Sequence, residues 1–131
     1  MISVLLVDNC FSLMEITCRF LERANDITVD MSRTAEEALQ KANYIGFDAI
    51  IMDYNRQEEA VLNLLSSIRD QGQKTPVIFF TVQQLEEIES AAMKYGFVSF
   101  VPKLRNCESN LFELDRIVRR VTDGKTTGVA A

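Results

Sequence analysis

Short apolar runs that each stop at a polar residue recur along this chain, with segments of helical spacing between them. Ile2 to Val7, Ala49 to Met52, Val77 to Phe80 and Phe97 to Val101 each read as a buried strand feeding a loop, and a further short strand falls near Ile27 to Met31. Ala49 to Met52 is too short and too continuously apolar for an amphipathic helix. Strand and helix therefore alternate five times. Because β-α-β crossovers are right-handed, such a chain is expected to form a doubly wound α/β fold: a mostly parallel five-stranded sheet with helices on both faces.

The helical segments carry their own signals. Phe11 to Ala24 puts Met14, Thr17, Leu21 and Ala24 on one face. Thr34 with Glu37 three residues later has the form of a capping box, and Ala35, Ala38, Leu39 and Ala42 follow at helical spacing until Gly46. Val61, Leu64, Leu65 and Ile68 mark a third helix ended by Gly72, and Leu85, Ile88, Ala92 and Tyr95 a fourth closed by Gly96. The last, from about Glu108 to Val121, turns Leu111, Leu114, Ile117, Val118 and Val121 inward, with Asp115, Arg116, Arg119 and Arg120 outward. One domain over residues 1–123 is expected, with 124–131 a flexible tail or the start of a linker.

Composition removes several classes of function. With 19 acidic against 14 basic residues and a net charge of −5, the chain lacks the clustered Lys and Arg that phosphate-backbone binding requires, so no nucleic-acid partner is expected. No apolar run approaches the roughly 18 residues needed to span a bilayer, and no basic region precedes the first one as in a secretory signal. A cytoplasmic protein with no membrane partner is expected. The three cysteines, Cys10, Cys18 and Cys107, are odd in number and lack metal-ligand spacing, so they read as reduced thiols. There is no histidine, which excludes His-based catalysis and His metal ligation in this chain.

What remains is chemistry at the strand ends. Asp8 and Asn9, Asp53, Thr81 and Lys103 each follow an apolar run, and in a parallel sheet ligands bind outside the carboxyl ends of the strands. Carboxylates, a hydroxyl and an amine brought together there suit a metal and a phosphoryl group. Taken singly, each has a plainer reading: an Asp after a strand is commonly a turn or cap, a Thr before a helix a cap, a Lys a solvated charge, and Phe100 core. Their joint order and placement favour the functional reading.

The stretches LLVDN, DAIIMDYN, PVIFFT and SFVPK resemble the response-regulator receiver domain, the phosphoacceptor half of two-component signalling. The resemblance covers about Ile2 to Val121. It implies a flavodoxin-like sheet of strand order 2-1-3-4-5 with five helices, similar to the chemotaxis receiver. It also implies a role for each residue: Asp53 as the phosphorylated aspartate, and Asp8, Asn9, Asp53 and the Asn55 backbone carbonyl around Mg2+. Thr81 and Lys103 would attend the phosphoryl group, and Thr81 with Phe100 would form the switch. The implied partners are a sensor histidine kinase or histidine phosphotransfer protein, and a downstream protein met through the fourth helix, fifth strand and fifth helix. Such a chain is not an enzyme beyond Mg2+-dependent self-phosphorylation and slow autodephosphorylation. Asn55 and Gln83, two residues past Asp53 and Thr81, are placed to screen attacking water.

Three departures qualify the resemblance. Asn9 stands where the family usually has a second carboxylate; a unit charge about 4 to 5 Å away, at an effective dielectric near 20, is worth on the order of a few kcal/mol, so weakened Mg2+ affinity is expected. After Asp53 the chain reads Asn55-Arg56-Gln57 and later Val61 instead of the usual Met-Pro and glycine. Leu104 replaces the usual cis-proline after the lysine, and since a non-proline cis bond costs about 2.5 to 4 kcal/mol a trans bond is expected. These departures support an alternative: a degenerate receiver that acts as a docking module without phosphorylation. A flavodoxin-like cofactor-binding domain ranks lower, because Asp8-Asn9-Cys10-Phe11 is not a Gly-, Ser- or Thr-rich phosphate loop.

Overall fold

A computed structural model of the chain describes residues 1–8, 10–53, 58–82, 85–103 and 108–126. Its elements run β1 (Ile2–Val7), α1 (Phe11–Glu22), β2 (Ile27–Ser32), α2 (Ala35–Tyr44), β3 (Ala49–Met52), α3 (Glu58–Asp70), β4 (Val77–Thr81), α4 (Glu86–Met93), β5 (Val98–Pro102) and α5 (Glu108–Thr126). The five strands pair in parallel in the order β2-β1-β3-β4-β5, the doubly wound arrangement expected.

The alternation of side chains along the strands divides the core in two. Val4 and Leu6 of β1, Ile51 of β3, Ile78 and Phe80 of β4 and Val101 of β5 pack with Met14 and Leu21 of α1 and Leu114, Ile117 and Val118 of α5. On the other face Leu5, Val7, Ile50, Met52 and Phe79 pack with Ala38 of α2, Val61, Leu64, Leu65 and Ile68 of α3, and Ala92 of α4. All four residues of β3 are buried, as a central strand covered on both faces must be. No helix among the described residues is long and apolar enough to cross a membrane.

Local signals place the helix ends. The Thr34 hydroxyl accepts the Glu37 amide at 3.1 Å, while the Glu37 carboxylate lies 3.4 Å from Lys41. Gly72 and Gly96 adopt left-handed conformations, φ +81° and +75°, beyond the ends of α3 and α4. Phe97 follows Gly96 at φ +56°, which is costly for a residue with a Cβ. Across this turn reaches Arg69, whose guanidinium donates to the carbonyls of Gln73 (2.9 Å), Thr75 (2.8 Å), Tyr95 (3.1 Å) and Gly96 (3.0 Å). Burial lowers the Arg69 pKa, with no acidic side chain opposing it among the described residues.

The structure corrects several sequence assignments. α1 ends at Glu22, and Ala24 is exposed in the turn that follows, where Asn25 takes φ +60°. α5 continues past Val121 to Thr126. Asp115 does not face outward: it is buried on the seam between α5 and α1, bonded to Arg23 at 2.9 Å and Arg119 at 2.7 Å. Arg119 is partly covered there and also bonds Asp26, whose carboxyl pKa it lowers. A buried carboxylate needs such partners, and one of them, Arg23, lies 92 residues away in sequence.

Candidate functional site

Strand register brings the expected residues together. Val7 pairs with Met52, so the next residues, Asp8 and Asp53, leave adjacent strand ends side by side, and the Asp53 amide donates to the Val7 carbonyl at 3.2 Å. Thr81 pairs with Pro102, and the Lys103 amide donates to the Thr81 carbonyl at 2.8 Å. The site is thus built from the ends of β1, β3, β4 and β5.

The Lys103 ammonium closes it. Lys103 Nζ lies 3.1 Å from Asp8 Oδ2 and 3.0 Å from Asp53 Oδ2, with side chains 12%, 7% and 8% exposed respectively. Charges so little hydrated persist only when paired, which explains why the amine bridges two carboxylates. The same nitrogen sits 5.1 Å from the Phe80 ring centroid, a cation–π distance. Asp8 is further fixed by the Cys10 amide, which donates to its Oδ1 at 3.1 Å.

Thr81 is the buried last residue of β4 and is not the N-cap of α4, a position that Leu85 takes. It shares a cavity of about 280 Å³ with Asp8, Asp53 and Lys103. Phe100 stands apart from this cavity. It is half-buried on the sheet face that α3 and α4 cover, stacked on Phe79 at 5.5 Å and 14°. Asn9, Asn55 and Gln83, together with the Lys103–Leu104 bond and the loop after Asp53, lie outside the described residues.

The donor set bears on a metal. Among the described residues no three acidic or cysteine side chains cluster, but Asp8 and Asp53 present two carboxylates to one point. Magnesium takes hard oxygen ligands, keeps several waters, and is commonly held by one or two carboxylates plus a phosphate. The residues present fit that requirement.

Sequence reasoning had not singled out Cys10, Leu13 and Val82, which also line the cavity. They follow the ends of β1 and β4 by one to six residues, so the rule that points to Asp8 and Thr81, extended into the loops and the first helical turn, reaches them.

Residues 4–113 match the response regulator receiver domain. No curated protein matches the sequence. Among solved structures, chemotaxis protein CheY4 of Vibrio cholerae is similar at 28% identity and a TM-score of 0.76, over 89% of this chain and 98% of that one. A Francisella response regulator receiver domain (21% identity, TM-score 0.76, 95% and 99% covered) and a Thermotoga maritima response regulator (20%, 0.76, 94% and 98%) share the fold. With the family pattern running from the first strand into the last helix, over the same strand ends that assemble the charged cluster, the chain belongs to the response regulator receiver domain family.

Proposed function

We propose that this receiver accepts a phosphoryl group on Asp53 from a partner phosphohistidine, in a cytoplasmic setting, and signals by a change of surface. Receiver domains work with histidine kinases or phosphotransfer proteins, typically bind Mg2+ at the phosphorylation site, and are generally not true enzymes. The observation that carries the reading is the Lys103 ammonium bridging Asp8 and Asp53 within a solvent-reaching cavity that Thr81 also lines.

An Asp53 carboxylate oxygen forms a bond to phosphorus as the donor's nitrogen–phosphorus bond breaks, and the electron pair returns to the imidazole. Lys103 then turns its charge from the free carboxylate to the product phosphate, and the Thr81 hydroxyl donates to one of its oxygens. Asp8 and Asp53, with Asn9 and the Asn55 carbonyl as further oxygen donors, would hold a magnesium ion, which would supply charge neutralisation for the phosphoryl oxygens. Movement of Thr81 and inward rotation of Phe100 carry the change to the α4, β5 and α5 surface, where a downstream protein binds. Thr81→Ala should abolish that phosphorylation-dependent binding; unchanged binding would refute the coupling.

The direct test is intact mass after incubation with acetyl phosphate, with and without Mg2+, beside Asp53→Asn. A Mg2+-dependent gain of one phosphoryl group that the variant lacks is expected. No gain in a folded protein at any Mg2+ concentration would favour the docking module and make Asn9→Asp the next variant to test.

A further inference from the structure

The open sheet has two edges, β2 and β5. An edge strand presents amides and carbonyls that another strand can pair with. β5 stops at Pro102, which has no amide proton and whose carbonyl accepts Asn110 Nδ2 at 2.7 Å. β2 contains no proline. At its two ends the carbonyls of Asp26 and Ser32 accept the amides of Ile2 and Asp8 of the β1 side. Because backbone groups alternate in direction along a paired strand, Thr28 and Asp30 also turn theirs toward β1, and Ile27, Val29 and Met31 turn theirs outward.

Two charged side chains meet those outward groups, one from each helix layer. Glu22 of α1 accepts the Val29 amide on Oε2 at 2.9 Å. Lys41 of α2 donates to the Met31 carbonyl at 2.7 Å. Both are held in position. Glu22 Oε1 accepts the Cys18 thiol at 3.3 Å, and the Lys41 ammonium also lies 2.8 Å from Asp30 and 3.4 Å from Glu37.

We propose that Glu22 and Lys41 guard the β2 edge against the β2 edge of a second copy of this chain. The occupant follows from the strand itself. An antiparallel pair about a two-fold axis at Val29 sets Ile27 opposite Met31 of the second copy and Thr28 opposite its Asp30. Apolar residues then meet apolar ones and no like charges face, so the side chains of β2 do not oppose the pairing. An axis at Asp30 would set two carboxylates against each other. With the axis at Val29, the three outward residues of each strand exchange six hydrogen bonds: two between the Val29 residues and two at each Ile27–Met31 pair. Glu22 holds the Val29 donor in both copies and Lys41 the Met31 acceptor in both, so four of the six are already taken. Each guard also stands where the incoming strand would lie.

Sedimentation velocity of the unphosphorylated full chain, across a concentration series, tests the guards. Glu22→Ala and Lys41→Ala each free two of the bonds, and the double variant frees all four. The double variant should dimerise on the order of a hundredfold more tightly than wild type, with the single variants between. Glu22→Gln keeps an oxygen for the Val29 amide and should match wild type. Val29→Pro, added to the double variant, removes the donor at the two-fold axis without touching the ladder to β1, and should restore the monomer. Self-association unchanged from wild type in the single and double variants would overturn the proposal. A dimer that survives Val29→Pro would overturn it too, because it would lie on another face. Should the double variant lose its cooperative urea transition, the single variants carry the same comparison.

Discussion

Arg69 offers a sharp test of what holds the α4–β5 turn. Its guanidinium donates to four carbonyls, from the segment after α3 and from the left-handed turn before β5, at 2.8 to 3.1 Å. A hydrogen bond to a charged group nets about 1.5 to 3 kcal/mol in isolation, but these four share one cation. That cation bears a desolvation cost which no carboxylate among the described residues offsets, the same burial that lowers its pKa. The net loss on Arg69→Met is therefore about 2 to 4 kcal/mol, well below four independent bonds. For a urea slope of about 2 kcal/mol/M, the unfolding midpoint should fall by about 1 to 2 M. Arg69→Lys keeps the charge but not the planar fork, and should fall between. Arg116→Met, which removes an exposed pair with Glu113, should leave the unfolding midpoint indistinguishable from wild type. If Arg69→Met also left it unchanged, water would be satisfying the carbonyls, and the clamp would be idle.

Three further outcomes follow from the geometry. Lys103→Met leaves two nearly buried carboxylates without their amine and should cost about 3 to 5 kcal/mol; adding Asp53→Asn should recover a large part, and a double-mutant cycle with no coupling would refute the bridge. The Ser32 hydroxyl is buried and has no hydrogen-bond partner among the described residues, so Ser32→Ala should be neutral or stabilise by up to about 1 to 3 kcal/mol in urea unfolding; a clear loss would show a missed partner. Burial, with a hydrogen bond to Glu22, raises the Cys18 pKa to about 11. The thiol is protonated below that value, so near pH 8 only about one part in a thousand is thiolate. Peptide-resolved alkylation of Cys18 should be slow there and climb about tenfold per pH unit toward 11. A plateau below pH 10 would refute the shift.

The alternation of strands and helices and most of the core were legible because they depend on local pattern, whereas the strand order came from the family resemblance. β1 and β3 have the expected limits, and Val61, Leu64, Leu65 and Ile68 are all buried. Asp8, Asp53, Thr81 and Lys103 were legible for a different reason: in a parallel sheet, position at a strand end fixes position in space. Asp115 was not, because helical periodicity reads a carboxylate as outward, and the residues that permit its burial include Arg23, 92 residues away on the far side of the sequence. The Arg69 clamp was hidden for the same reason, since its acceptors are backbone carbonyls that leave no trace in residue identity. The left-handed Phe97 was hidden as well: Gly96 announces a turn, but nothing in a phenylalanine announces a second residue of positive φ.

The bridge between Lys103 and the two aspartates also imposes an order on biosynthesis. Asp8 and Asp53 come from β1 and β3, whereas their amine follows β5, separated from them by 95 and 50 residues and joined to the sheet only through β4. As the chain leaves the ribosome, its amino-terminal part can associate first, and the two acids approach each other before the lysine exists. Their repulsion then opposes early closure of that end of the sheet, and the docking of β5 relieves it. The cluster at the strand ends is balanced only once β5 has docked, so a nascent or truncated chain that stops before it lacks the charge balance of the finished domain.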